Sequence, residues 1–198
     1  FAWEGIGRRE FVGLGNFVKL SQDIAVRSSI SFTILFVVVS TVLQLSLGLL
    51  VASLLNSQFK LRGFARTVNL IPWAIPMVVA AIGFRWMYDV DYGIINDLLR
   101  RLTGLRFPWL IHFWSARAAI IMTNIWKSTP FLAIVFLAAL QGVPAELYEA
   151  ARVDGANRLQ TFRFITTPLV LPQATTMGLF MLVWQLAAFD LIYSMTGG

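Results

Sequence analysis

The chain has 198 residues, of which 58% are hydrophobic and 13% are charged, and its mean hydropathy is +0.72. Soluble domains carry about 25% charged residues, so this composition excludes an ordinary water-soluble enzyme. The sequence has no cysteine and a single histidine, His112, which excludes disulfide scaffolds, cysteine nucleophiles and histidine metal clusters. Because it begins at Phe1 and ends at Gly198, we expect it to be part of a longer protein.

Long stretches without charged residues predict the membrane-spanning segments. A helix of about 20 apolar residues crosses a hydrocarbon core of roughly 30 Å. Helices and closed barrels are the structures that satisfy the backbone in lipid, and the non-alternating run Ile34–Val39 argues against barrel strands. The uncharged stretches are 28–59, 67–84, 128–145 and 164–189. We therefore predict an all-α membrane protein with helices at about 28–55, 67–87, 118–140 and 169–193.

The loops between these helices give the orientation. The glycine-rich stretch 1–26 is predicted to be an outer loop that leads into the first helix. Loop 56–66 carries Lys60, Arg62 and Arg66 without an acidic residue, which places it in the cytoplasm. Loop 88–117 then lies outside. Within it, apolar residues at helical spacing predict a surface helix over about 94–102, which Gly104 ends.

A stripe of polar residues in the third span marks a candidate solute path. Asn124, Lys127 and Ser128 fall on one helical face, and Lys127 is a charge deep in a span, where charges are costly and usually functional. Trp184 and Gln185 in the last span add an aromatic plane and an amide. Two interpretations stay open: a hydrophilic cavity wall that bonds a solute, or a lysine that bonds carbonyl groups of a neighbouring helix at a subunit interface.

Two other features of the spans concern packing and shape. Pro72 and Pro76 predict a kink in the second span. In the first span, small and polar residues recur every four positions, which is typical of a face for close helix packing. They are Ser40, Gln44, Gly48 and Ala52.

Segment 144–168 predicts two short helices lying flat on the inner face of the membrane. Pro144 suits a helix start, Gly155 breaks the helix, and a second helix begins near Asn157. Taken by itself, this pattern also fits a simple amphipathic interfacial helix.

The residue pattern of this segment resembles the EAA signature of ABC importer permeases. It has Glu149, Ala150 and Ala151, then Gly155, Ile165 and Pro168 at the family spacing, with Thr167 where the family has leucine. Further stretches are similar to permeases for carbohydrate uptake of the maltose and glycerol-3-phosphate type, specifically the first of two paired permeases. These stretches are Phe11–Asn16, Pro72–Pro76, Trp126–Phe131, Leu147–Ala151, Phe189–Tyr193 and Thr196–Gly198.

The resemblance implies a single permease domain over 1–198 with the type I importer fold, holding four of about six transmembrane helices. It implies import of a sugar or sugar-like solute by alternating access across the cytoplasmic membrane of a prokaryote. Segment 144–168 would be the coupling loop to a separate ATPase. The residues implied in coupling are Glu149, Ala150, Ala151, Asp154, Gly155, Ile165 and Pro168.

The implied partners are a second permease in a heterodimer, a cytoplasmic ATPase dimer, an extracytoplasmic solute-binding protein and the lipid bilayer. ATP and magnesium would belong to the ATPase, because this sequence lacks a phosphate-binding loop of the Gly-x-x-x-x-Gly-Lys-Ser/Thr type. We expect no catalytic residue, metal or cofactor in this chain and no binding of nucleic acid, since the basic residues lie scattered at helix ends. The main alternative is an ion-coupled secondary transporter or channel, which would need acidic residues inside the spans.

Overall fold

The computed structural model describes residues 13–197, and their regular secondary structure is helical throughout. Residues 1–12, which begin the predicted outer loop 1–26 and include the start of the stretch Phe11–Asn16, lie outside the described residues, as does Gly198. The helices, in chain order, are α1 Gly15–Gln22, α2 Ile24–Asn56, α3 Arg62–Ala74, α4 Met77–Met87, α5 Ile94–Thr103, α6 Phe113–Gln141, α7 Ala145–Val153, α8 Arg158–Thr161, α9 Thr167–Leu186 and α10 Phe189–Thr196.

Within residues 13–197, three helical segments are long and apolar enough to cross a membrane. They are α2, α6 and the continuous segment Arg158–Leu186, while α3 and α4 form a pair that is bent by 90° and counts as a fourth span if it is taken as one. The described residues form two compact units, one ending at Phe36 and one beginning at Val37. The second unit contains all the candidate residues from Gln44 onward. The single-domain prediction stays a prediction.

The helix predicted over 67–87 is instead two helices, and proline chemistry explains the break. Proline disfavours the helical conformation of the residue before it, and Ile75 accordingly has φ −70° and ψ 133°. Pro76 is also extended, with φ −56° and ψ 141°, and α4 starts directly after it. Pro72, for which we also predicted a kink, lies inside α3 without breaking it.

The helix predicted over 169–193 is also interrupted, at a point that carries no sequence signal. α9 ends at Leu186, and Ala188 has φ −78° and ψ 60°, the values of an inverse γ-turn. The N–H of Phe189 donates to the carbonyl oxygen of Ala187 at 2.8 Å, which closes that turn. Because neither alanine is a helix breaker, the sequence alone predicted a continuous helix.

Helix α1 was not predicted, since residues 1–26 were expected to form a loop. Its apolar side chains are exposed, Phe17 by 68% and Val18 by 53%. Asp23 separates it from α2, and the Asp23 carboxylate accepts a hydrogen bond from the N–H of Ala25 at 2.8 Å. This bond satisfies a free N–H at the start of α2, which therefore begins at Ile24 rather than at 28.

The core of the second unit joins α2, α6 and α9. Close approach of α2 to α6 depends on Gly48, because a Cβ at that position would lie 2.9 Å from the Cβ of Leu132. Ser40, Gln44 and Ala52, the other members of the predicted small-residue face, are fully buried. The buried apolar side chains are Ala52, Leu55, Leu132, Phe136, Leu137, Leu140, Val170 and Met181.

Candidate functional site

A cavity of about 760 Å³ lies among α3, α4, α6, α9 and α10. Both helix breaks line it, through Ala74–Pro76 on one side and Ala187–Ala188 on the other. The five residues predicted to form a solute path all lie on its wall, although they come from two different spans. They are Asn124, Lys127, Ser128, Trp184 and Gln185. The structure brings them together without testing whether a solute contacts them.

Lys127 is 7% exposed and bonds the end of a neighbouring helix. Its Nζ donates to the carbonyl oxygen of Trp73 at 2.6 Å. This carbonyl lies in the last turn of α3, where the chain provides no further helical N–H to bond it. Each interpretation of Lys127 agrees with part of the geometry. The amine lines the cavity, as a solute-binding wall requires, and it also bonds a backbone carbonyl of a neighbouring helix. That carbonyl belongs to the same chain rather than to another subunit.

Aromatic rings reinforce the contact between α3 and α6. The ring of Trp73 stacks on that of Phe131, one turn after Lys127, with 5.3 Å between centroids and 17° between planes. On the same two helices, the side-chain amide of Asn69 donates to the carbonyl oxygen of Pro130 at 3.2 Å. These contacts fix the position of the α3 end, and therefore of the break, on the cavity wall.

Asn124 and Gln185 belong to a buried polar network that links α2, α6 and α9. The amide Nδ2 of Asn124 donates to Oε1 of Gln185 at 2.7 Å. The amide Nε2 of Gln185 donates to Oγ1 of Thr41 at 3.1 Å and to Oε1 of Gln44 at 3.0 Å. Gln44 in turn donates to the backbone oxygen of Asn124 at 3.1 Å. Both N–H groups of Gln185 are therefore already used within the protein.

Trp184 and Ser128 are the more accessible members of the predicted set. Trp184 is 60% exposed, and its ring lies 5.5 Å from that of Phe180 on the same cavity wall. Ser128 is half-buried. An indole face, a hydroxyl and an ammonium group around one apolar cavity supply stacking and hydrogen-bonding surfaces for a polar organic solute.

Sequence reasoning missed several residues at this site. Trp73, Phe131 and Phe180 line the cavity, and Thr41 completes the network around Gln185. Trp73 had a signal, because it lies in a short segment between two prolines. Thr41 had none, since its partner lies 144 positions away in the chain.

The predicted coupling segment is a helix, a tight turn and the start of the last span. Helix α7 ends at Val153 with Asp154 as its C-cap, and Gly155 has φ +77°, which glycine adopts without strain. The N–H of Ala156 donates to the carbonyl oxygen of Ala151 at 2.9 Å, and that of Gly155 to Arg152 at 3.1 Å. This pair of bonds is a Schellman motif, so the helix end predicted at Gly155 is confirmed.

The second short helix of this segment is not separate, which corrects our prediction. Asn157 and Gln160 form a capping box that starts α8, and the helix then continues through the π-helical turn Phe162–Thr166 into α9. Ile165 and Pro168 therefore lie in the first turns of a spanning helix rather than on a flat loop. Thr167, which departs from the family pattern, donates to the carbonyl oxygen of Phe162 through both its N–H and its hydroxyl.

Most of the predicted coupling residues are accessible. Glu149, Ala150, Asp154, Gly155 and Pro168 are exposed. Ala151 is buried, with 6% of its surface exposed, and Ile165 is half-buried. The predicted coupling residues thus present the small side chain of Ala150 and the carboxylates of Glu149 and Asp154 outward. Within residues 13–197, no group of three or more histidine or acidic residues could hold a metal ion.

Comparison with known proteins places the chain in a family. Residues 44–198 match the family described as binding-protein-dependent transport system inner membrane component. The trehalose/maltose transport system permease protein MalF of Thermococcus litoralis is 38% identical over 98% of this chain and 65% of its own length. The sulfoquinovosyl glycerol transport system permease protein SmoG of Agrobacterium fabrum is 38% identical over 96% of this chain and 61% of its own length.

A solved structure agrees with these sequence matches. It is that of a bacterial ABC transporter involved in the import of the acidic polysaccharide alginate. It superposes with a TM-score of 0.81 and 26% identity over 95% of this chain and 70% of that one. The predicted helical bundle of the type I importer permease fold is therefore confirmed. This chain spans less than two thirds of the two permeases compared above, and it belongs to the family of binding-protein-dependent transport system inner membrane components.

Proposed function

We propose that this chain is the permease part of an ATP-driven importer that moves a sugar or sugar-like solute across the cytoplasmic membrane of a prokaryote. The observation that carries the proposal is the 760 Å³ cavity, which lies among spanning helices and is bordered by two helix breaks. Its wall combines aromatic faces, at Trp73 and Trp184, with the hydroxyl of Ser128 and the ammonium group of Lys127. Aromatic planes beside a few polar groups suit a solute that has both apolar faces and hydroxyl groups.

The substrate class is supported by the relatives. The two curated relatives are named for trehalose/maltose and for sulfoquinovosyl glycerol, and the solved structure is described as importing alginate. All three substrates are carbohydrates. Within that class, the structure favours Trp184, Ser128 and Lys127 as direct contacts, because the N–H groups of Gln185 are bonded to Thr41 and Gln44.

Energy would enter through segment 144–168. In this proposal Glu149 contacts a cytoplasmic ATPase, Ala150 and Ala151 permit close packing, and the turn at Gly155 sets the angle between α7 and the last span. Asp154, Ile165 and Pro168 would support that turn. ATP and magnesium would bind to the ATPase dimer and not to this chain, which acts as a carrier and not as an enzyme. Closing of the dimer would then move the spanning helices between inward-open and outward-open states.

Two more partners complete the proposed importer. A second permease subunit would pair with this chain in a heterodimer. An extracytoplasmic binding protein would deliver the solute; one solved alginate transporter is described in complex with a periplasmic protein that carries an alginate pentasaccharide. That structure has a TM-score of 0.75 and 26% identity over 93% of this chain.

Co-purification tests the proposal. The full-length protein is extracted in mild detergent as wild type, Gly155→Pro and Gly104→Pro, and bound proteins are identified by mass spectrometry. Both glycines have positive φ, +77° and +75°, and proline cannot adopt it, so the two substitutions impose similar backbone strain. Gly104 ends α5 in the outer loop and is the matched control.

We expect an ATPase to accompany the wild type and the Gly104→Pro protein, and to be lost from Gly155→Pro. If no ATPase accompanies a folded, membrane-inserted wild type, the importer proposal fails and the ion-coupled transporter becomes the better interpretation. If both proline variants lose the ATPase equally, the segment around Gly155 has no special role in coupling.

A further inference from the structure

A second cavity, of about 460 Å³, lies at the other end of the spanning helices, beside the coupling segment. The last turn of α2 and the last residues of α6 form one side, and α7, α8 and the π-helical turn form the other. Seven of its ten lining residues have polar side chains, and it lies on the side predicted to be cytoplasmic. The lining residues are Ser53, Asn56, Leu140, Tyr148, Arg152, Ala156, Arg158, Thr161, Phe162 and Thr166.

The charge in this cavity is entirely positive. Arg152 at the end of α7 and Arg158 at the start of α8 reach the lining from opposite sides of the Gly155 turn, and no acidic residue lines the cavity. Within residues 13–197, the ion pairs involve Asp91 and Asp97, so neither of these arginines has an acidic partner. Both arginines are exposed, and two guanidinium groups in the lining of one cavity without a carboxylate suit an anion.

Arg152 complements the negative end of its own helix α7, but the ends of α2 and α6 that border the cavity use neither arginine. Arg66 already complements the negative end of α2, because its Nη2 donates to the carbonyl oxygen of Leu55 at 3.1 Å. The end of α6 is served by the N–H of Gly142, which donates to Ala138 and Ala139 at 3.2 Å each. The positive charges are therefore left for a ligand.

The hydroxyl groups in the lining are held in place by bonds within the protein. Tyr148 Oη and Thr166 Oγ1 lie 3.3 Å apart, and Thr161 donates to the carbonyl oxygen of Asn157 at 3.0 Å. This pairing fixes α7 against the start of the last span. The cavity shape is thus set by bonds that do not use the arginines.

We propose that this cavity binds a phosphate-bearing anion, and that its source is the headgroup of an anionic phospholipid. The guanidinium groups match the geometry of phosphate oxygens. Apolar side chains that face outward at the same level would contact the acyl chains: Leu54 is 60% exposed and Phe164 is 70% exposed. Basic pockets between spanning helices on the cytoplasmic side are suited to such headgroups. A soluble phosphate compound would use the same chemistry, and the test separates the two.

The test uses the full-length protein with its co-purifying subunits in nanodiscs of phosphatidylcholine, with or without phosphatidylglycerol. Native mass spectrometry counts the phosphatidylglycerol molecules retained per chain as its fraction is raised. The variants are Arg152→Gln with Arg158→Gln, the corresponding double lysine substitution, and Arg163→Gln. Arg163 is the matched control, because it is exposed on the same continuous helix but does not line the cavity.

We expect a saturable site whose apparent affinity falls about tenfold or more in the double glutamine variant, since that variant loses the charge-assisted hydrogen bonds of both guanidinium groups. The double lysine variant should lie between it and the wild type, and Arg163→Gln should match the wild type. Displacement of the lipid by inorganic phosphate would keep the cavity as a phosphate site but make its ligand soluble.

Two results would overturn the proposal. One is equal retention of phosphatidylglycerol, and equal phosphate binding, in the double glutamine variant and the Arg163→Gln control. The other is loss of the partner ATPase from the double glutamine variant without any change in lipid or phosphate binding, which would assign the arginines to a protein contact. Because lipid retention does not depend on transport, the result is independent of the proposed function.

Discussion

The wall of the large cavity and the coupling segment use polar residues in opposite ways. At the cavity, Lys127, Asn124 and Gln185 are at most 7% exposed, and each bonds another part of the same chain. In the coupling segment, Glu149 and Asp154 are exposed and unpaired with any basic residue among the described residues.

This contrast indicates what each region can do. Buried polar groups that are already bonded hold helices in register, and changing one leaves its partners unsatisfied. Exposed groups on a rigid helix cost the fold little and are available for a partner. We therefore expect substitutions at the cavity to act on stability or solute passage, and substitutions in the coupling segment to act on assembly. The four predictions below test this division, from the largest expected effect to the smallest.

The largest effect on stability is expected for Gln185→Leu. It removes three hydrogen bonds and leaves Asn124, Gln44 and Thr41 without their partner in a buried site. We expect a loss of about 2–3 kcal/mol, since a buried unsatisfied group costs about 1–3 kcal/mol. Thermal unfolding in detergent measures it. Thr176→Val is the control, because Thr176 is exposed on the same helix and bonds its own backbone; equal stability of the two variants would show that the network holds nothing together.

Lys127→Ala is expected to impair transport more than assembly. It removes an amine from the cavity wall and frees the Trp73 carbonyl at the end of α3. We expect solute uptake in vesicles to fall about tenfold, as for the loss of one charge-assisted hydrogen bond, with ATPase co-purification retained. Lys127→Arg should recover part of the uptake because it keeps the charge. If Lys127→Ala instead disperses the complex in detergent, the lysine is needed for assembly. The proposed division between cavity residues and coupling residues would then be wrong.

Gly155→Ala is a milder test of the coupling segment than proline. A Cβ at Gly155 meets no atom within 4 Å, so the penalty is the left-handed backbone alone, about 1–2 kcal/mol. Gly104→Ala carries the same penalty with the same open surroundings in the outer loop. Both variants should show a similar drop in thermal stability, and Gly155→Ala alone should reduce the ATP hydrolysis that solute stimulates. A similar reduction in Gly104→Ala would remove the distinction between the two turns.

The residues that govern local backbone shape could be read from the sequence, and those that govern tertiary contacts could not. Gly155 and Gly104 end helices as predicted, and proline explains the break at Ile75. No residue type predicts the break at Ala188, where the chain closes an inverse γ-turn. Likewise, Gln44 was predicted to pack, but its bond to Gln185 joins positions 141 apart, which a helical repeat cannot indicate. Roles for the coupling residues came from the family resemblance, whereas Asn124, Lys127 and Ser128 were found from helical periodicity and the depth of a charge in a span.

The smallest effect is expected at Asp89. This prediction tests whether an exposed carboxylate is necessarily free to bind a partner. Asp89 lies in the turn after α4, and its Oδ1 accepts hydrogen bonds from the N–H groups of Tyr92 at 3.0 Å and Asp91 at 2.9 Å. These bonds, that from Tyr92 first, hold the pKa of Asp89 below its ordinary value of 3.8. A carboxyl whose folded pKa is depressed stabilises the turn above its unfolded pKa, and this contribution is lost as the pH falls through the folded value.

Hydrogen exchange of the 88–93 segment, corrected for the intrinsic rate, should therefore show loosening below about pH 4 in the wild type. Asp89→Asn keeps an accepting oxygen but cannot ionise, so its exchange should not change across this range. A pH response in Asp89→Asn equal to that of the wild type would mean that another group controls the turn. The predicted result would show that an exposed carboxylate can be fully bonded by neighbouring backbone N–H groups. Glu149 and Asp154 would then be distinguished not by exposure but by carboxylates that accept no hydrogen bond from the described residues.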